Sequence, residues 1–331
     1  MPFDAVLLMS FGGPDGPEDV RPFVANVLRG RPVTAERVEQ VVSQYMLFGG
    51  RSPINDHNRA LLAALERDFA AQGRPRRLYW GNRNWTPYLA ETVAHMRDDG
   101  VTNAAVFVTS AYSSYSGCRQ YLEDMEQARH QVGPGAPELF KLRPYYNHPG
   151  FVAPLADGLR AALAEAGQDA TVLMSAHSLP VPAAAACDYE QQLRECAALV
   201  AAEAGLAPDA WQLVYQSRSG RPGQPWLEPD VVDAIGRLPA GPGAVVVAPI
   251  GFVSDHMEVV YDLDTRAARA AEARGLRMVR SATPGTDGRF VRMVSQLMAE
   301  TENPGSAPRL ALGPSGPRRS PCPAGCCPAS R

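Results

Sequence analysis

The chain has 331 residues, 45% hydrophobic and 20% charged, which excludes a disordered chain and, at about 150 residues per domain, points to two domains. Its 32 basic and 35 acidic residues leave a formal charge of −3 with no basic block, so nothing in the charge favours nucleic acid. No run reaches the roughly 18 apolar residues of a membrane span, and residues 1–11 lack the basic start of a signal peptide and read as a strand.

From the N-terminus, strand-like apolar runs fall at residues 5–9, 77–80, 104–109 and 139–142. Helix-like windows at 18–28, 55–71, 86–96 and 119–129 lie among them. The second half repeats the alternation, with strands at 171–175, 212–215, 244–249 and 276–279 and helices at 152–165, 190–204, 258–273 and 289–299. Strand and helix in alternation mean parallel sheets covered on both faces. The expected class is therefore α/β, with two parallel four-stranded sheets in domains 1–148 and 149–302, followed by a Pro/Cys-rich tail, 303–331. That tail holds 7 of the 30 prolines and few large apolar residues, so it is expected to be irregular.

In such sheets ligands sit beyond the carboxyl ends of the strands. Phe11-Gly12-Gly13-Pro14 follows the first strand, and with no dinucleotide or P-loop motif in the chain it reads equally as a turn or a ligand loop. Ser175-Ala176-His177-Ser178-Leu179-Pro180 closes the fifth strand. A neutral imidazole there can bind a metal or accept a proton, or merely close the turn. Gly251 to Glu258 follows the seventh strand, and its Asp255 and His256 also suit a helix N-cap. Glu258 and Asp262 share a helix face, with Asp264 two residues on, forming a row of carboxylates for a divalent cation or a solvated face. His177 and Glu258 both follow strands of the same half, so both can reach one crevice. That convergence does not by itself choose between metal binding and proton transfer.

Leu7 to Pro14, Phe48 to Asn55, Ser175 to Pro180, Tyr215 to Gly220, Pro225 to Asp230 and Pro249 to Val259 together resemble the ferrochelatases in order and spacing, across residues 3 to 300. The likeness is strongest to the soluble bacterial branch that metallates coproporphyrin III. It implies two Rossmann-like, chelatase-type domains with a porphyrin cleft between them, the second domain carrying the metal-handling residues. The expected reaction is insertion of ferrous iron into a porphyrin, most simply coproporphyrin III, in heme biosynthesis. His177 and Glu258 match the family's histidine and glutamate that handle metal and protons. Ser52, Tyr121, Arg29 and Arg31 match its porphyrin contacts. Phe11 stands where relatives carry a tyrosine that can ligate product iron, and Gln44 where they often carry an arginine.

The last ten residues hold Cys322, Cys326 and Cys327, three of six cysteines, for which zinc, an iron–sulfur cluster and a vicinal disulfide are all chemically open. Some ferrochelatases build a [2Fe–2S] cluster from one internal cysteine and three near the C-terminus. The resemblance implies Cys118 as the internal ligand here, with Cys187 and Cys196 behind it. Such a cluster would be structural or sensory, since metal insertion transfers no net electrons. The cysteine pattern favours a reducing cytoplasm over a secreted disulfide scaffold. The expected partners are porphyrin, ferrous iron and other heme-pathway enzymes, with the chain acting as a monomer. The rival readings are a cobalt or nickel chelatase of related fold and a carrier that binds tetrapyrrole or metal without turnover.

Overall fold

The computed structural model describes residues 2–30, 33–167, 169–219, 223–323 and 325–329. The chain forms two units, one of residues Met1–Thr109 and Tyr121–Leu142, the other of Ser110–Gln120 and Arg143–Arg331. The first unit holds strands β1 (Ala5–Ser10), β2 (Arg77–Asn82), β3 (Asn103–Val108) and β4 (Glu138–Lys141), in the order β2-β1-β3-β4. Every neighbouring pair is parallel. All six residues of β1, AVLLMS, are buried, as a central strand covered on both faces requires. On one face Leu7, Met9, Val106 and Val108 pack against Val93 and Met96 of helix Leu89–Asp98 and Met125 of helix Gln120–Val132. At about 1.5–3 kcal/mol for each large side chain buried, such layers are what hold the sheet to its helices.

Helix Ala35–Met46 has no counterpart among the windows predicted from sequence. Val42 is its one buried residue, but the narrow stripe Val38, Val41, Val42 and Tyr45 packs with Phe23 and Trp85. Thr34 caps it, its side chain accepting from the Arg37 amide at 3.2 Å.

The second unit repeats the arrangement with β5 (Thr171–His177), β6 (Trp211–Gln216), β7 (Gly243–Ala248) and β8 (Leu276–Arg280), ordered β6-β5-β7-β8 and parallel throughout. Leu173, Val214, Val245 and Val247 form its core with Val259, Leu263 and Ala267. The segment Ser110–Gln120 joins this unit through long-range bonds. The Tyr112 hydroxyl donates to the Ile250 carbonyl at 2.8 Å, the Ser113 amide to Gln192 Oε1 at 2.8 Å, and Gln192 Nε2 to Ser113 Oγ at 2.9 Å.

Beyond helix Gly288–Glu302 the described residues form no regular element, yet the tail is fastened. Arg143 and Glu300, with side chains 2% and 5% exposed, form a two-pronged ion pair at 2.7 and 2.8 Å, and Arg143 also donates to the Leu310 carbonyl at 2.7 Å. Asn147 exchanges backbone and side-chain bonds with Leu312 and donates to the Gly316 carbonyl at 2.9 Å. Arg318 pairs with Asp188 at 2.5 Å. Among the described residues no helix is long and apolar enough to cross a membrane.

Candidate active site

β5 is buried along most of its length and ends at His177, whose side chain is 31% exposed. Its Nδ1 lies 2.5 Å from the Ser178 carbonyl, which can only accept, so Nδ1 carries a proton and Nε2 is the open position of a neutral ring. Nε2 faces Glu258 Oε1 at 3.4 Å, and that carboxylate is 49% exposed. The backbone beneath is held as well: the Tyr189 hydroxyl donates to the His177 carbonyl at 2.9 Å, and the Ser178 amide to the Gln216 carbonyl at 2.8 Å.

Glu258 arrives from β7, the neighbour of β5. The turn between them needs Gly251, since a Cβ there would stand 2.7 Å from Ala176 Cα and Cβ. His256 caps the following helix, Met257–Tyr261, its Nδ1 accepting from the Glu258 amide at 3.2 Å. The fully buried Gln216 donates through Nε2 to the Glu258 carbonyl at 2.7 Å, so one β6 residue steadies the backbone at both site residues.

Burial opposes a charge on His177, but the Glu258 carboxylate, aided by the Ser178 carbonyl and Asp262, outweighs it and raises the imidazole to about 9. Burial likewise works against the Glu258 charge, and His177 and His256 overcome it, holding the carboxyl well below its usual range. His256 moves the other way, because burial lowers it more than its acidic neighbours raise it. At neutral pH, then, His177 and Glu258 form an ion pair that holds one proton, beside a neutral His256.

The expected row of carboxylates is present but neutralised. A π-helical stretch, Asp262–Ala267, continues the helix. Asp262 accepts from Ser217 Oγ at 2.5 Å and pairs with Arg266 at 2.9 Å. Asp264 pairs with Arg280 at 2.6 Å, and Arg280 also holds Asp255 at 2.8 Å. Only Glu258 of the row is left facing an imidazole. Ser217, at φ 63°, sits in the left-handed region in order to reach Asp262.

The first unit carries the residues expected to touch porphyrin. Ser52 is buried, its amide donating to the Pro14 carbonyl at 2.9 Å. Gly13 lies close above it, where a Cβ would come within 2.7 Å of Ser52 Cβ. Tyr121 is only 4% exposed and packs in the sheet core, with the Arg83 guanidinium 4.7 Å from its ring and paired to Asp124 at 2.5 Å. Arg29 is exposed, on the turn that closes helix Pro17–Val27. Arg31 lies outside the described residues. Gln44 is half-buried on helix Ala35–Met46. Sequence reasoning missed the exposed apolar pair that follows, Met46 and Leu47, the latter 67% exposed; Phe11 and Val33 are also exposed in this unit. Its signal was the pairing of two large apolar side chains at a helix end.

Cys118 is buried in the π-helix Tyr115–Arg119. Cys326 and Cys327 bring their sulfurs to 3.5 Å, and Arg119 donates to the carbonyls of Cys326 and Pro323 at 2.9 and 3.3 Å. Cys327 is within electrostatic reach of Cys118, Cys187 and Cys326. Cys196 lies instead in the core beside the Tyr112 hydroxyl, a small buried side chain. Among the described residues no three His, Cys, Asp or Glu side chains converge as a single-ion site needs.

The ferrochelatase family profile matches residues 3–302. A coproporphyrin III ferrochelatase of Streptomyces griseus is 51% identical over 99% of this chain and 94% of its own length. One from Mycobacterium marinum is 52% identical over 94% of this chain and 90% of its own. Among solved structures, the sirohydrochlorin chelatase SirB of Bacillus subtilis, in complex with cobalt, superposes with a TM-score of 0.53 at 10% identity. That match covers 91% of this chain and 96% of SirB, and it shows a shared fold.

Proposed function

Because the chain belongs to the ferrochelatase family, we propose that it inserts ferrous iron into coproporphyrin III, the porphyrin named for its relatives, as a step of heme biosynthesis. The observation that carries the reading is His177 Nε2 facing Glu258 Oε1 at 3.4 Å. Iron enters as Fe²⁺ and displaces two pyrrole protons. The pair already holds one proton at neutral pH and first releases it to solvent through the half-exposed Glu258; the freed Nε2 then accepts a pyrrole proton and becomes again the imidazolium that Glu258 stabilises. Glu258, half open to solvent, passes that proton outward and readies the pair for the second. Fe²⁺ competes for the same Nε2 lone pair, so weak, reversible binding there suits delivery to the ring. A ring held buckled offers its nitrogens to the metal and so carries part of the barrier as substrate strain.

Ser52, Tyr121, Arg29 and Arg31 are the porphyrin contacts in this reading, the arginines pairing with propionates. The exposed Phe11, Met46 and Leu47 supply apolar surface of the kind a flat macrocycle covers. Phe11 has no atom that can ligate iron, so the product takes no axial ligand from that position.

A finer part of the proposal is a [2Fe–2S] cluster on Cys118 and thiols of the tail. What supports it is that buried and half-buried thiols come from separate segments of the second unit, with the Cys326 and Cys327 sulfurs 3.5 Å apart. A binuclear cluster spreads its ligands over two irons and needs no single point of convergence. It would supply thiolate bonds that fasten the tail and no step of iron insertion. The cytoplasm is the compartment we propose, supported by six cysteines that are all unbridged thiols. There the chain acts as a monomer that delivers its product to other heme-pathway enzymes.

The test is turnover. Fluorescence of excess coproporphyrin III is followed on adding Fe²⁺, with protoporphyrin as competitor. Many equivalents of metalloporphyrin per chain are expected, with coproporphyrin consumed first. One equivalent would favour a carrier, preference for protoporphyrin would overturn the substrate, and faster turnover with Co²⁺ or Ni²⁺ would overturn the metal.

A further inference from the structure

Glu258 reaches the site on a short segment, and its carboxylate does little to place itself. It stands 3.4 Å from His177 Nε2 and 4.0 Å from His256 Nδ1, looser than the usual hydrogen bond of about 2.7–3.2 Å. Its place is therefore set by its backbone. From β6, Gln216 holds the Glu258 carbonyl at 2.7 Å. From β8, one side chain holds the segment at both ends. Arg280, the last residue of β8, grips Asp255 with two guanidinium nitrogens, Nη1 to Oδ1 at 3.1 Å and Nη2 to Oδ2 at 2.8 Å. Its Nε donates to Asp264 Oδ1 at 2.6 Å. Asp255 precedes the cap residue His256, and Asp264 lies in the π-helical stretch, so the two carboxylates bracket the helix that carries Glu258. Thr283 Oγ1 adds a bond to Asp255 Oδ1 at 3.1 Å, and the Gly285 amide donates to the Val253 carbonyl at 3.0 Å. The Arg280 and Asp255 side chains are mostly buried, which favours a forked, charge-assisted pair over a solvated one.

We propose that Arg280 is a positioning residue for iron insertion: its planar fork braces Asp255 against Asp264 and so fixes the Glu258 carboxylate opposite His177 Nε2. This rests on the reading of that pair as the proton-handling centre, and it adds a residue of the edge strand that acts through two carboxylates. Asp264, which the sequence placed in a row for a divalent cation, is on this account one arm of a brace. Neutralising two acids needs only a positive charge, whereas bracing them needs the fork. A lysine supplies the charge as a single point and lacks the rigid set of donors that serves both carboxylates at once. Misplacing a reacting group by about 1 Å can cost about 10²-fold in rate, so a loosened brace should show in turnover.

Full-length wild type, Arg280→Gln, Arg280→Lys, Asp264→Asn and the double variant Arg280→Gln/Asp264→Asn are compared with Fe²⁺ and coproporphyrin III in the absence of oxygen. Rates are counted per porphyrin-binding site, so that unfolded chain does not enter. Arg280→Gln is expected to lower kcat by about 10- to 100-fold with KM for the porphyrin within a few fold, since the porphyrin contacts of this reading lie in the first unit. Arg280→Lys should keep a thermal midpoint near that of wild type and still lose about tenfold in kcat. The double variant should lose no more than Arg280→Gln alone, because an arm of a brace already gone has nothing left to hold. Full kcat in Arg280→Gln overturns the proposal, and so does full kcat in Arg280→Lys, which would reduce Arg280 to a neutralising charge. Additive losses in the double variant also overturn it, since Asp264 would then serve the metal by itself. If Arg280→Gln does not fold, Arg280→Lys decides alone. A wild-type chain that makes no more than one equivalent of metalloporphyrin fails the reading of function, and this proposal with it, whereas wild-type turnover beside unimpaired variants fails the proposal only.

Discussion

The two units solve one folding problem in the same way and put different chemistry on the result. Each orders its strands with the first inside, flanked by the second and third, and the fourth at the edge. β1 runs into Phe11-Gly12-Gly13-Pro14, whereas the equivalent β5 ends on His177 and runs into Ser178-Leu179-Pro180. β3 leads to Thr109 and out of its unit, whereas β7 leads through a turn to His256 and Glu258. The first unit thus offers glycine turns, exposed apolar side chains and arginine, and the second an imidazole facing a carboxylate. A parallel sheet is a holder, and the loops beyond its strand ends decide what is held.

The comparison is broken most directly at His177. His177→Ala should cut iron insertion by about 10²–10⁴-fold, the usual worth of a general base, with porphyrin affinity within a few fold. More than about a tenth of wild-type turnover would remove the chemistry from the second unit. The largest stability effect should come from the same unit. Glu300→Gln removes the carboxylate that balances the buried Arg143 charge, a loss of about 3–5 kcal/mol that denaturant titration would read.

Glu258→Gln sharpens the assignment through pH. With the carboxylate gone, burial prevails and the His177 pKa falls, so the acid limb of kcat/KM should move to lower pH although the maximum rate drops. The sign for stability is also fixed. The raised His177 contributes fully below its ordinary 6.5, and that contribution fades as pH rises through about 9. The lowered Glu258 contributes above its ordinary 4.5 and loses that contribution only in strong acid. The smallest effect belongs to the first unit. Arg29→Ala should raise KM a few fold with kcat unchanged, and an equal fall in kcat would mean that this unit also takes part in the chemical step.

The sheets were legible because β1, β5 and β7 are near-continuous apolar runs, and burial on both faces leaves that mark on a sequence. His177 and Glu258 were legible as strand-end residues with a family resemblance behind them. Three features were not. Helix Ala35–Met46 buries a stripe too narrow to register in composition. Segment Ser110–Gln120 belongs with the second unit through Gln192 and Ile250, far along the chain, and such pairs have no period. The acidic row looked open because Arg280 lies sixteen residues beyond Asp264 and Ser217 forty-five before Asp262, and only folding brings them together.

The fastened tail has a consequence for how the chain is made. Arg143 and Asn147 leave the ribosome long before Leu310, Leu312 and Gly316, whose carbonyls they bind. While synthesis proceeds, the Arg143 guanidinium and the Asn147 amide must stay hydrated, because burial without partners is costly. Glu300 and the strap behind it are the last groups to reach them. The first unit ends at Leu142, so all of its residues are available early. The second closes only after Glu300 and residues 310–316 have emerged, so its assembly is timed by those residues and not by the appearance of its strands.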